Sequence, residues 1–287
     1  MNKAKVTDVD DNKYLNIGKI AGFDIFSGGK KRVLKVMLRF LRQDRGFWHV
    51  ATVNPEFVMV AKNNKKFNKI LKSTALNTTD GIGLVWADMI VGTGRACRRA
   101  GRDLSVLARF IRGVVVGFQI LAGKYREKIA AGSELMVDMC KSAAKNDWSV
   151  FFLGGFGDGA RLTGEKIDSM IGGGLVYESC SGRPDFSDAQ VLLMIQKSRI
   201  KVLFVAYGMK KQEEWIYENR KELEKAGVRV AMGVGRSFDY YSGKVKMAPG
   251  WIKKMGLEWL YSLVKDPKRL KRQLVLPKFV WEVIVGN

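Results

Sequence analysis

The chain of 287 residues carries 50 Lys and Arg against 28 Asp and Glu, a formal charge of +22, and is 47% hydrophobic. That length and apolar fraction exclude a disordered chain and allow one large α/β domain or two small ones; Cys97, Cys140 and Cys180, far apart and without Cys-x-x-Cys spacing, argue for a reducing compartment and against a disulfide framework or zinc site. The charge favours a polyanionic partner: nucleic acid, anionic lipid headgroups or a phosphorylated substrate.

Residues 1–14 read as a polar tail, with no signal-peptide pattern. Within it, Asp8-Val9-Asp10 has the Asp-x-Asp shape of a metal-held sugar-nucleotide site, but no strand precedes it. Leu15–Phe26 reads as one or two short strands, and Lys30–Arg45 as a basic amphipathic helix with Val33, Met37, Phe40 and Leu41 on one side. Trp48–Val53 is a predicted buried strand containing the only histidine, His49, which reads as a core residue for want of a metal or nucleophile partner. It leads into Thr52-Val53-Asn54-Pro55-Glu56, and then into a predicted helix over Glu56–Ser73.

Asn77-Thr78-Thr79-Asp80-Gly81-Ile82-Gly83 reads as a short loop with one carboxylate, leading into a helix, Leu84–Ile90. Two polar loops that each open a helix in an α/β chain imply a shared cleft at strand ends, with Asp80 the candidate for chemistry. From Gly92 to Lys128 there are nine Lys/Arg and two Asp/Glu. On one helical stripe fall Arg95, Arg98, Arg102, Arg109 and Arg112, opposite Leu104, Leu107, Ile111, Val114, Phe118 and Leu121. That pattern fits a helix lying in a membrane interface and equally a core-packed helix with a solvated basic face. The most apolar run, Gly113–Gly123, is about half the roughly 20 residues that a spanning helix needs.

Beyond Ser133 helices and strands alternate: helix Ser133–Lys145, strand Ser149–Leu153, helix Ala160–Ile171, strand Leu175–Glu178, helix Asp188–Lys197, strand Val202–Ala206, helix Gln212–Lys225 and strand Val228–Gly233. This rhythm predicts a Rossmann-like, mostly parallel sheet flanked by helices, with right-handed crossovers. The end reads as helices Trp251–Val264 and Pro267–Leu274, then a tail containing Pro277. The predicted organisation is therefore an α/β catalytic domain over residues 15–245, with an inserted basic amphipathic helix at about 92–124. A basic helical appendage follows over 246–287.

Three loops fit an anionic ligand. Gly154–Gly159 follows a strand and opens a helix; Gly155–Ala160 satisfies Gly-x-Gly-x-x-Gly/Ala, with Glu178 near the spacing expected of a ribose ligand. Glycines such as Gly154, Gly155 and Gly157 let backbone approach a diphosphate resting on the helix start. Gly208 opens the second loop, where Lys210, Lys211 and Gln212 stand at a helix N-terminus. Gly233-Val234-Gly235-Arg236-Ser237-Phe238-Asp239 is the third, offering Gly235 and Asp239. A tight β-α turn and ordinary helix-surface charge remain open readings of these features.

Together these motifs resemble the bacterial WecG/TagA/CpsF family of glycosyltransferases. The resemblance runs from about Val50 to Arg272, interrupted by Gly92–Lys124. It rests on Thr52-x-Asn54-Pro55-Glu56, Asp80-Gly81-Ile82-Gly83, Leu153-Gly154-Gly155, Gly208-x-x-x-Gln212-Glu213-x-Trp215, Gly233-Val234-Gly235-x-x-Phe238-Asp239 and Ala248-Pro249-x-Trp251…Gly256-Leu257-Glu258-Trp259-Leu260. It implies an inverting, metal-independent transferase with no cofactor. Such an enzyme moves an N-acetylmannosamine-type sugar from UDP to undecaprenyl-diphosphate-linked N-acetylglucosamine, peripherally at the inner, cytoplasmic face of the membrane. By the same resemblance Asp80 is the base, Thr52, Asn54 and Gln212 line its pocket, and a basic C-terminal appendage covers it and grips the lipid diphosphate. Arg269 and Arg272, on one predicted helical face, are the candidates for that grip.

The chain departs from the family in having Glu127-Lys128-Ile129 where Glu-Arg-Val is usual, so Lys128 keeps the charge without the bidentate fork. Ser262 likewise stands where an arginine is usual. Expected partners are a UDP-sugar, a polyprenyl-diphosphate-linked acceptor and an anionic membrane surface, with no nucleic acid; a homo-oligomer stays open. Two other readings compete. One is an NAD-dependent oxidoreductase built on Gly155–Ala160. The other is a basic nucleic-acid-binding module, although no such motif or aromatic interleaving accompanies the charge.

Overall fold

The computed structural model describes residues 17–101, 103–182, 188–267 and 270–286, apart from the side chains of residues 17, 188 and 271. The Asp8-Val9-Asp10 motif, Arg102 and Arg269 lie outside the described residues. The predicted α/β architecture is present: eight strands form one sheet in the order β1-β2-β4-β3-β8-β7-β5-β6. The strands are β1 Ile17–Ile20, β2 Phe23–Phe26, β3 Trp48–Val53, β4 Leu76–Thr79, β5 Val150–Gly154, β6 Tyr177–Cys180, β7 Val202–Ala206 and β8 Val230–Gly233. Among the described residues, β1 and β2 pair antiparallel and every other strand pairing is parallel.

Parallel strands need covered faces, and both faces here are covered. On one, α1 (Gly29–Leu41), α6 (Gly132–Lys145) and α7 (Gly159–Ile171) bury Val33, Met37, Leu135, Met139 and Ile167 against Val50, Phe152 and Phe204. On the other, α2 (Pro55–Asn63), α3 (Lys65–Ser73) and α4 (Ile82–Arg99) cover β3. There too α8 (Asp188–Ser198), α9 (Lys211–Glu218) and α10 (Arg220–Lys225) cover β5 and β7. Alternate residues along β3 and β7 divide between the two faces, as strand geometry demands.

Four expectations are corrected. The stretch Asn77–Thr79 is strand rather than loop, because buried partners satisfy its polar side chains: Asn77 Nδ2 donates to Asp24 O and Leu71 O (3.1 Å each), and Thr79 Oγ1 donates to Lys128 O (2.8 Å). The single helix expected over Glu56–Ser73 breaks at Asn64, whose side chain accepts from Phe67 N (2.8 Å) and so caps a second helix. The arginine stripe is not one helix: α4 ends at Arg99 and α5 spans Val106–Leu121. Finally, the Pro277 tail is helical. After α11 (Ser237–Tyr241), α12 (Gly250–Lys254), α13 (Glu258–Lys265) and α14 (Leu270–Gln273) comes α15, Val275–Val285. Pro277 falls in the first turn of α15, where a missing N–H costs nothing. Phe279 and Val283 of α15 are buried against α2 and α4. Among the described residues, no helix is long and apolar enough to cross a membrane.

Candidate active site

The C-terminal ends of β3, β4, β7 and β8 open into one cleft of about 1520 Å³. This is where open parallel sheets place ligands. It brings together Thr52, Asn54, Asp80, Gly208, Gln212 and Gly235 from loops far apart in the chain. The C-terminal helices form the opposite wall, including Arg272.

The two polar loops meet through a glycine. Asn54 caps α2, its side chain accepting from Phe57 N (3.1 Å), and Pro55 takes the first helical position. A Cβ on Gly83 would stand 2.6 Å from Pro55 Cγ, so only glycine lets α4 start against that turn. Gly81 serves a different need: its φ of +95° lies where a side chain is strained. The Asp80 backbone N–H donates to Val53 O (2.7 Å), which fixes the loop to the end of β3.

Asp80 Oδ1 accepts from the N–H of Gly132 (3.3 Å), in the first turn of α6. A Cβ on Gly132 would meet Thr52 Cγ2 at 2.9 Å, so this close approach also demands glycine. Burial pushes the Asp80 carboxyl up; the Gly132 N–H opposes this, Glu258 and Glu134 add to it, and the result is about 6. The side chain is half-buried: walled in by protein, yet open to the cleft. A carboxylate near neutrality and facing a cavity is suited to accepting a proton.

Beneath the cleft runs a buried polar chain. His49 Nε2 pairs with Glu213 Oε2. Gln212 Nε2 donates to Glu213 Oε1 (3.1 Å), and Gln212 Oε1 accepts from Gly235 N (3.0 Å). Thr52 Oγ1 donates to Gly233 O (3.0 Å). His49 is thus a core residue, as expected, and its partner Glu213 fixes Gln212 and the Gly233–Gly235 turn.

The remaining expected residues lie elsewhere. Gly154, Gly155, Gly157, Lys210, Lys211 and Asp239 do not line the cleft. Lys244 Nζ donates to Phe156 O over the Gly154–Gly159 loop, and Lys210 holds a strained φ of +72°. Asp239 pairs with Arg236, which does line the cleft (3.7 Å). Glu178 lies within β6, exposed, rather than at its C-terminal end, so the dinucleotide reading loses its ribose ligand.

Lys128 contributes its carbonyl to Thr79, while Arg126, two residues earlier, faces the cleft instead. The Arg126 Nη2 lies 3.4 Å from Glu258 Oε1, and its Nη1 is buried without a hydrogen-bond partner among the described residues. Arg272 donates to both oxygens of Glu56 (2.8 and 2.9 Å). Arg126 carried no signal in the sequence beyond its place next to Glu127-Lys128-Ile129, while Glu258 belonged to the Gly256–Leu260 signature without its place in the cleft being legible. Among the described residues, no group of three or more His, Cys, Asp or Glu gathers as a metal site would require.

The family model described as "Glycosyl transferase WecG/TagA/CpsF family" matches residues 18–108 and 112–286. In place of the interruption expected over Gly92–Lys124, the match runs through that segment and omits only 109–111. Similar proteins bear the name N-acetylglucosaminyldiphosphoundecaprenol N-acetyl-beta-D-mannosaminyltransferase. One from Bacillus spizizenii is 28% identical over 85% of this chain and 81% of its own length. One from Bacillus subtilis is 28% identical over 82% and 78%, and one from Staphylococcus aureus 27% identical over 85% and 82%.

Proposed function

The chain belongs to the WecG/TagA/CpsF family of glycosyl transferases, and from that membership we propose a hexosyltransferase that moves an N-acetylmannosamine-type sugar from UDP to an N-acetylglucosamine on a polyprenyl diphosphate. The product would feed cell-surface polysaccharide synthesis at the inner face of the membrane. The observation that carries this reading is Asp80, raised to about 6 and open to the cleft where the signature loops converge. The names of the relatives supply the sugar and the acceptor.

The reaction is read as one inverting displacement, written without a metal. The acceptor hydroxyl oxygen forms a bond to the donor's anomeric carbon as the bond to the UDP oxygen breaks. Asp80 accepts the hydroxyl proton, a role worth about 10²–10⁴-fold. UDP departs with the electron pair. Arg126, with one buried Nη free of partners among the described residues, and the first-turn amides of α4 after Gly81 would meet that charge. Arg272 offers a diphosphate its Nη1 while Nε and Nη2 hold Glu56, and the whole fork only on leaving Glu56. In this reading residues 15–245 are the catalytic domain and 246–287 an appendage that would close the cleft and meet the membrane-borne acceptor.

The test supplies several UDP-sugars with a short-chain polyprenyl-diphosphate N-acetylglucosamine and follows UDP release and the disaccharide by mass spectrometry. Transfer from UDP-N-acetylmannosamine is expected, with Asp80→Asn lowering turnover about 10²–10⁴-fold. Near-normal turnover in a folded Asp80→Asn chain would remove the base, and no transfer from any UDP-sugar would remove the reaction. Below about pH 6 the carboxyl is protonated and cannot accept, so kcat/KM should fall there in the unmodified enzyme.

A further inference from the structure

Helix α5 is apolar on its outward side as well as on its inward one. The positions facing the protein include Arg109, Gly113, Val116 and Ile120. Arg109 Nη1 donates to the carbonyls of Ile284 (3.4 Å) and Gly286 (3.0 Å), at the C-terminal end of α15, where a cation meets the negative pole of the helix. Gly113 O accepts from Trp86 Nε1 (2.9 Å), which seats α5 against α4. The opposite side presents Leu107, Phe110, Ile111, Val114, Phe118 and Leu121, exposed by 44% to 69%. A surface helix in water presents polar and charged residues on that side. Single exposed apolar side chains are ordinary, but a continuous stripe of them marks a contact surface.

We infer that this face of α5 enters the acyl layer of a lipid leaflet and holds the cleft mouth at headgroup depth, an inference that rests on the reading of a membrane-borne acceptor. Sixteen residues make a helix of about 24 Å, shorter than the roughly 30 Å hydrocarbon core, so α5 lies along the surface rather than across it. Trp259 and Trp281, 42% and 68% exposed, line the cleft beside Leu107 and Phe110. Tryptophan favours the boundary between lipid and water. The net charge of +22 suits an anionic leaflet. A second copy of the chain seated on α5 would cover the cleft mouth that Leu107 and Phe110 help form, whereas a leaflet would present its lipids there.

The experiment is flotation of the full chain with vesicles of phosphatidylglycerol and phosphatidylcholine in equal parts, without donor or acceptor. Ile111→Ser with Phe118→Ser, both outside the cleft lining, is expected to weaken partitioning by about tenfold or more. Leu193→Ser with Met194→Ser, an exposed apolar pair on α8, should bind as the unmodified chain does. In detergent with a short-chain acceptor, the α5 variant should keep its turnover. Unchanged vesicle binding by the α5 variant overturns the inference. So does a dimer in solution that the α5 substitutions split while vesicle binding persists, since the face would then serve self-association. Lost vesicle binding in a chain that transfers no sugar would sink the proposed reaction and leave the leaflet contact standing.

Discussion

At Asp80, the desolvation that lifts the carboxyl and the Gly132 N–H that lowers it act on the same group. Substituting Gly132→Ala drives a methyl into Thr52 and should push the N–H away. The lowering influence is then lost, and the acid limb of a pH–kcat/KM profile should move to higher pH. The same carboxyl makes a linked prediction about stability. Its folded value, about 6, exceeds its ordinary 3.8, so the folded chain binds the extra proton between those values. The stabilisation from that proton is complete below about pH 4 and is lost as pH rises through about 6. At pH 7 the ionised group therefore costs about 1–3 kcal/mol. Asp80→Asn should gain about that much in urea unfolding at pH 7, with the gain shrinking as pH falls, even as turnover collapses.

Among the elements, the buried His49–Glu213–Gln212 chain links sheet stability to the cleft. His49→Ala leaves the Glu213 carboxylate in the interior without its ring partner, at about 3 kcal/mol in urea unfolding. Because Gln212 and the Gly235 turn hang from the same carboxylate, KM for the donor should rise as well. His49→Gln, which can still donate, should recover part of both. This chain also marks where the sequence could be read and where it could not. The runs Trp48–Val53 and Val202–Ala206 are apolar and bounded by turn residues, so their strands were legible. Asp80 and Gly83 stood out because their loop repeats the polar, helix-opening form of Asn54-Pro55-Glu56. Strand β4 was hidden: of Leu76-Asn77-Thr78-Thr79 only one residue is apolar, and partners at Asp24, Lys128 and Ala130 make the others buriable. Residues so distant cannot be inferred from local pattern. Helix α5 was half legible, since periodicity separates two faces without saying which one meets the protein. Glu213 was legible as part of the Gln212-Glu213 signature, but its pairing with His49, 164 positions away, was not.

Over the whole molecule, charge and apolar surface act at different ranges. Two basic stretches, Gly92–Lys128 and Gly250–Lys278, hold 13 of the 22 excess positive charges. Raising salt from 0.1 M to 1 M shortens the screening length from about 10 Å to about 3 Å. Vesicle association should therefore weaken across that range and level off at a salt-resistant remainder, measured by flotation. In the chain with Ile111→Ser and Phe118→Ser that remainder should vanish.

The wall that faces Asp80 across the cleft includes Leu274, Phe279 and Ile284, some two hundred positions downstream of it. During synthesis the sheet and its carboxylate therefore emerge from the ribosome well before the helices that enclose them. A nascent chain passes through a stage in which Asp80 is present but its surroundings are still wet. The cleft wall formed by these later segments, and with it the Glu258 charge that adds to the raised proton affinity of the carboxyl, arrives only when they dock. The environment of Asp80 is in this sense completed by segments translated well after it.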